Sequence, residues 1–142
     1  MTRIAVAQTE ADTARCFTVM SELRTHLTLD VFAEQVKRQR ESSSYQLIYL
    51  EDGGAIRAVA GFRVAECLAW GRFMYVDDLV TSHDERSKGY GDALFDWLLH
   101  YAKQQNCDQL HLDSGVQRFR AHRFYFRKRL AITSYHFAMK LT

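Results

Sequence analysis

The chain has 142 residues, with 47% hydrophobic, 13% aromatic and 25% charged, which excludes a disordered chain and fits a single globular domain at a rough prior of one domain per ~150 residues. It contains no proline, where average usage of ~5% would give about seven, so Pro-rich linkers and PxxP ligand segments are excluded. Nineteen Lys+Arg against seventeen Asp+Glu give a net charge of +2, which demands no polyanionic partner. The charge is uneven: Arg118, Arg120, Arg123, Arg127, Lys128 and Arg129 form one stripe without a carboxylate, and the remainder of the chain is mildly acidic. No stretch approaches the ~20 apolar residues of a membrane span.

In chain order, Ile4 to Ala7 is a short strand. Its apolar run is too short for a signal peptide. Thr9-x-x-Asp12 resembles a capping box and precedes apolar residues at Cys16, Phe17, Met20 and Leu23, one face of a helix. A second helix is expected from Asp30 to Arg40, with Phe32 and Val36 inward. Tyr45 to Glu51 reads as a strand, Asp52-Gly53-Gly54 as a tight turn, and Ala55 to Val64 as the return strand. Arg72 to Thr81 is a further strand carrying Asp77 and Asp78. From Gly89 the period becomes helical, with Leu94, Trp97, Leu98, Tyr101 and Ala102 on one face. Gln109 to Asp113 is a short strand, Gln117 to Arg129 a helix, and Ile132 to Leu141 a final strand. The order β-α-α-β-β-β-α-β-α-β, with hairpins early and βα units late, implies an α/β fold: one mixed sheet with helices packed on it.

The stretch richest in chemistry runs from Asp77 to Gly91. It is a strand, a short polar turn, then Arg86-Ser87-Lys88-Gly89-Tyr90-Gly91 opening a long helix. A helix start leaves four backbone N–H groups without intrahelical partners. Two glycines let a ligand approach that backbone, and the helix dipole with Arg86 and Lys88 supplies positive potential. Those features suit a pyrophosphate. The alternative is a plain turn with glycines for close helix–strand packing. A Walker loop is absent, and so is Gly-x-Gly-x-x-Gly, because position 94 is Leu.

This segment resembles the GNAT superfamily of N-acetyltransferases, whose signature is Gln/Arg-x-x-Gly-x-Gly/Ala at the start of a helix after a strand. A second family feature, Ala-x-x-Phe/Leu-Tyr, is matched by Ala121-His122-Arg123-Phe124-Tyr125. The resemblance covers nearly the whole chain. It implies a mostly antiparallel sheet with helices on both faces, acetyl-CoA as co-substrate, and direct transfer of acetyl to a primary amine. It further implies that amides of Arg86, Ser87, Lys88, Gly89, Tyr90 and Gly91 hold the pyrophosphate. The edge of Leu79, Val80 and Thr81 would pair with the pantetheine arm like an added strand, where that strand splays from the one bearing Leu112. An oxyanion donor would come from the backbone near Leu79. Tyr125 would be the acid that protonates the leaving thiolate; the bland reading is a core tyrosine. Asp77 matches a carboxylate that serves as base through water. Strand alternation sends Asp77 and Asp78 to opposite faces, so only one is expected in the acceptor cleft. Asp78 is the other candidate base. Two departures stand out. Arg118 replaces a common Asn and could reach a phosphate, and Arg129-Leu130 replaces Gly-Phe at the helix exit. The usual last hairpin also looks short, and a homodimer partner would complete the sheet edge.

The six histidines form no His-x-x-x-His pair, so no metal site is expected. Cys16, Cys67 and Cys107 are widely spaced, which fits a reduced, cytoplasmic setting and no disulfide. The Arg-rich stripe reads as a solvated face, as a site for the 3′-phosphate end of CoA or an acidic acceptor, or as a nucleic-acid surface; no nucleic-acid motif supports the last. The acceptor, a small-molecule or peptide amine, is expected between the two N-terminal helices and the connection from Ala65 to Gly71. Glu10, Asp12, Glu22, Asp30 and Glu34 would favour a cationic amine, and Trp70 and Phe73 would add an aromatic wall. Two other readings are a non-catalytic CoA or acyl-CoA binding module and a nucleic-acid-binding domain that uses the Arg118 to Arg129 stripe.

Overall fold

A computed structural model describes residues 1–85 and 88–142. Arg86 and Ser87 lie outside the described residues. The chain divides into two compact units, 1–111 and 112–142.

The first unit opens with β1 (Thr2–Val6), followed by α1 (Glu10–Leu23) and α2 (Leu29–Ser43). Each helix starts at a threonine. Thr9 Oγ1 accepts from the Asp12 amide at 3.0 Å and Thr28 Oγ1 from the Val31 amide at 3.4 Å. These bonds satisfy amides that the helix itself leaves unpaired. Arg40 of α2 donates to the carbonyl of Ala7 and to Thr13 Oγ1, tying both helices to the end of β1.

Strands β2 (Gln46–Asp52), β3 (Ala55–Cys67) and β4 (Gly71–Thr81) continue the sheet, and β5 (Gln109–Leu112) closes it in the order β1-β2-β3-β4-β5. The first four pair antiparallel. The β2–β3 hairpin turns through Gly53 and Gly54, both at positive φ (64° and 80°). This is the backbone a two-residue hairpin loop requires and glycine adopts freely.

Helices lie on both faces of the sheet. On one face Ile48 and Leu50 oppose Ala60 and Ala58, and Gln46 opposes Phe62. Helix α3 (Tyr90–Gln104) covers this face: the Phe62 ring lies 5.4 Å from Tyr101 and 6.2 Å from Trp97. Leu94, Leu98 and Ala102 of the predicted stripe are buried, together with Phe95. On the other face Leu47, Tyr49, Val59 and Val80 join Cys16, Val19 and Met20 of α1 and Phe32 and Val36 of α2 in one core. Each large apolar side chain removed from water in these two layers contributes about 1.5–3 kcal/mol.

The second unit contains α4 (Phe119–Arg127), two residues shorter at each end than the sequence predicts. It ends in a Schellman motif, with the Leu130 amide donating to Tyr125 O and the Arg129 amide to Phe126 O, both at 3.0 Å. Arg129 takes φ 70° there, the left-handed position that glycine usually fills. The expected final strand does not form. Residues 131–142 carry no strand and are exposed throughout. The period-2 pattern is present, but a strand also needs a ladder partner, and none is supplied among the described residues.

Candidate functional site

The central feature is a break in the β3–β4 ladder. Gly61 pairs with Asp78 while the next residue, Phe62, pairs with Val76. Asp77 is therefore the extra residue of a β-bulge, which re-aims side chains and disrupts alternation. The expectation that Asp77 and Asp78 point to opposite faces is corrected by this bulge. Both line one cavity of about 360 Å³, with Met20, Arg24, Phe32 and Tyr45 among its other walls.

Both carboxylates are held. Arg63 grips Asp77 in a fork, with Nε 2.8 Å from Oδ2 and Nη2 2.9 Å from Oδ1. This bond is the main cause that raises the Arg63 guanidinium above its ordinary value. Asp78 accepts from Arg24 Nε at 2.8 Å and from Tyr45 Oη at 2.7 Å, and Arg24 also donates to the Asp77 carbonyl at 2.8 Å. Burial pushes the Tyr45 phenol well above its ordinary value, and the neighbouring Asp78 adds to the rise. A carboxylate has about four acceptor positions, so each aspartate keeps capacity for a donor inside the cavity. Tyr45 reaches Asp78 by crossing Gly61, where a Cβ would fall within 2.7 Å of its ring Cε1.

The cavity walls differ from those expected. α1 and α2 contribute, but the connection from Ala65 to Gly71 does not. Trp70 instead stacks on His111, ring centroids 3.5 Å apart, with Phe73 edge-on at 5.1 Å. Glu10, Asp12, Glu22, Asp30 and Glu34 are not among its walls either. Glu22 accepts from the His83 amide at 2.7 Å. Arg24, Tyr45, Arg63 and Gly61 were missed by sequence reasoning. Their roles arise from cross-strand register, which a single-sequence pattern does not carry.

Downstream of the bulge, Leu79, Val80 and Thr81 pair on one side with Ala60, Val59 and Ala58. On the other side of β4 lies β5, tied to its beginning: the Asp108 amide donates to Arg72 O at 2.6 Å and the Arg72 amide to Asp108 Oδ2 at 3.1 Å. At ~3.3 Å per residue the four residues of β5 cannot follow the eleven of β4 to Thr81. A 3₁₀ turn (His83–Glu85) then leads towards α3. Gly89 is the N-cap of α3, at φ 81°, with no atom of the described residues within 4 Å of where a Cβ would stand. Tyr90 and Gly91 form the first turn. Arg86 and Ser87, called for the pyrophosphate, lie outside the described residues. Lys88 pairs with Glu85 at 2.8 Å, which raises its ammonium above its ordinary value. Glu85 also accepts from Arg57 at 3.0 Å. Tyr90 donates to Asp52 Oδ2 at 2.6 Å, so its side chain serves the β2–β3 hairpin.

In the unit 112–142, Tyr125 is half-buried and packs edge-on against Phe124 at 5.6 Å. Burial raises its phenol above the ordinary value, with Arg118 pulling the other way. Arg118 is the exposed N-cap residue of α4. No group of three or more potential metal ligands occurs, and no helix is long and apolar enough to cross a membrane, among the described residues.

A strand bulged at its centre is thus followed by a helix that opens at a glycine. The family model for acetyltransferases of the GNAT family matches residues 7–130. The chain is 36% identical over 115 residues to an uncharacterized N-acetyltransferase, YhdJ, of Bacillus subtilis (strain 168), covering 81% of each sequence. The chain therefore belongs to the GNAT acetyltransferase family. The same fold occurs in a transcriptional regulator from Bacillus halodurans C-125, at TM-score 0.85 and 20% identity over 99% of this chain and 100% of that one. It also occurs in a ribosomal-protein-alanine N-acetyltransferase from Brucella melitensis biovar Abortus 2308, at TM-score 0.85 and 19% identity over the whole of both chains.

Proposed function

We propose that the protein transfers acetyl from acetyl-CoA directly to a primary amine that enters the cavity at the β4 bulge. The observation that carries this reading is the bulge itself. It gathers Asp77 and Asp78 on one cavity, and the edge Leu79–Thr81, which β5 is too short to reach, begins one residue later.

Acetyl-CoA supplies the activated acyl group. The residues present fit it in two respects. The edge of Leu79, Val80 and Thr81 away from β3 offers backbone groups to an extended amide-bearing arm, as an added strand would use them. The N-terminus of α3 offers the amides of Gly89, Tyr90 and Gly91, which a helix does not pair within itself, and no atom of the described residues stands within 4 Å of a Cβ at Gly89. Arg86, Ser87 and Lys88 complete the proposed pyrophosphate loop, and Arg118 is assigned to a phosphate of the same co-substrate.

The chain's own contribution is chiefly placement, which makes a two-molecule reaction effectively unimolecular. An amine must lose a proton before it attacks. Asp77 and Asp78 accept from an ammonium or from water bound beside it, while Arg63 and Arg24 hold the two side chains in place. The Leu79 amide is the oxyanion donor. Tyr125, in the family's second motif, gives its proton to the departing sulfur; desolvation favours the neutral phenol needed for this step.

The test is calorimetric titration with acetyl-CoA, followed by thiol-release assays over a panel of amines. The wild type should bind in the micromolar range. Arg86→Ala and Gly89→Leu should weaken binding at least tenfold. Tyr125→Phe should lower turnover with binding retained and should remove the fall in rate at alkaline pH. A folded wild type that does not bind acetyl-CoA would overturn the reading.

A further inference from the structure

The cavity at the β4 bulge is small and electrically balanced. Its volume of about 360 Å³ lies at the low end of the ~300–1,000 Å³ of small-molecule sites. Asp77 is matched by Arg63 and Asp78 by Arg24, each pair at 2.8 Å. Helix α2 adds Phe32, Gln35, Val36 and Gln39, none of them charged, and Gln35 Nε2 donates to Gln39 Oε1 at 2.9 Å. The acidic side chains that the sequence pointed to on α1 and α2 do not line this space. A second ammonium on the acceptor would therefore meet no unmatched carboxylate in these walls, and its removal from water would go uncompensated. Such walls select against a polyamine.

One ammonium is provided for, since Asp77 and Asp78 keep acceptor capacity beside their bonds to Arg63, Arg24 and Tyr45. A cation lines the same space. Arg24 donates from Nε to Asp78 and from Nη2 to the Asp77 carbonyl, which uses two of the five donors of a guanidinium. Its planar fork is the natural partner of a carboxylate. The rest of the wall is apolar, with Met20, Phe32 and Val36 buried and Leu27 half-buried. We infer that the acceptor is a free amino acid with an apolar side chain, its ammonium on Asp77 and Asp78, its carboxylate on Arg24 and its side chain against Met20 and Phe32. This rests on the reading of the cavity as the amine's site. A zwitterion brings no net charge to walls whose charges already cancel, and each of its parts finds a counterpart. The ammonium gives one proton to water, the nitrogen bonds the acetyl carbon as the carbon–sulfur bond breaks, and a second proton from nitrogen is balanced by one taken up at the departing sulfur. The products are an N-acetyl amino acid, the free thiol of CoA and one proton in solution.

The experiment measures thiol release with L-leucine, L-methionine and L-phenylalanine, with their carboxamides and with spermidine, while calorimetry reads acetyl-CoA binding separately. At least one of the three amino acids should show kcat/KM tenfold or more above its own carboxamide and above spermidine. In Arg24→Gln the preference for that amino acid over its carboxamide should fall below threefold, through a rise in KM for the amino acid. A merely structural role of Arg24 would slow both substrates alike and leave their ratio unchanged. Should the variant fail to fold by circular dichroism, the wild-type ratios decide. A preference below tenfold in the wild type, or an unchanged ratio in folded Arg24→Gln, overturns the amino-acid assignment and leaves acetyl transfer to another amine standing. Acetyl-CoA binding without thiol release from any of the three amino acids overturns it in the same way. A folded wild type that does not bind acetyl-CoA overturns both readings together.

Discussion

Replacing Gly61 with alanine tests the geometry of the bulge through one methyl group. Gly61 has an ordinary negative φ, since it is absent from the positive-φ glycines, so alanine meets no backbone penalty and should even gain about 0.5–1 kcal/mol from a less mobile unfolded chain. The opposing effect is steric. The new Cβ would lie 2.7 Å from Tyr45 Cε1 and deeper still into the hydroxyl end of the ring, against an optimum of about 3.5 Å or more between carbons. Tyr45 is only 3% exposed, so its ring cannot swing clear without disturbing the core. Overpacking of this kind costs about 1–3 kcal/mol. The shifted ring also loses its 2.7 Å bond to Asp78, and a stranded buried hydroxyl costs about 1–3 kcal/mol more. The net loss should be about 2–4 kcal/mol. It would be read as a fall of roughly 1–2 M in the urea midpoint at unchanged slope. In a Tyr45→Ala background the same substitution should be neutral or stabilising. A loss below about 1 kcal/mol in the wild type, or an equal loss in both backgrounds, would refute the reasoning.

Three further outcomes follow from the same contacts. The Tyr45 phenol is raised in the folded state by burial and by Asp78, so the unfolded chain loses this proton first as pH climbs. The stabilisation is whole below the ordinary tyrosine value of about 10 and declines above it by about 1.4 kcal/mol per pH unit; denaturant titrations from pH 9 to 11 should show Tyr45→Phe without that share of the decline. Burial pushes the Cys16 thiol up to about 12, some three units above a free cysteine. Thiol labelling at pH 8 should therefore modify Cys16 at least ~10³-fold more slowly than an unfolded control, and equal rates would contradict the packing of α1. Arg129→Gly should raise stability by about 1 kcal/mol, because Arg129 sits at φ 70° in the Schellman position where a side chain is strained; a thermal melt 2–8 °C higher is expected at this chain length.

What the sequence made legible, and what it hid, divides along the range of the interactions. The capping threonine at Thr9, the Gly53-Gly54 turn and the stripe Leu94–Leu98–Ala102 are local signals, and each appears in the fold at its predicted place. The placement of Gly89 at the start of α3 was equally readable, because helix starts are written within a few residues. The bulge was not. Whether Asp77 and Asp78 share a face depends on a slip opposite Gly61, sixteen residues earlier than Asp77. A strand's own alternation cannot reveal a slip imposed by its partner. The arginine forks have the same origin: Arg24 reaches Asp78 across 54 residues of sequence and Arg63 reaches Asp77 across 14. The tail shows the converse case. Its alternation is as clean as that of any strand in the protein, yet the described chain gives it no ladder. Periodicity states which face a strand will bury, and the identity of the surface that buries it is a separate question. The alternation over Tyr135–Leu141 therefore states which side chains would share a face of a strand, and the residues at Leu79–Thr81 and Gly61 show that pairing itself is decided by the partner strand.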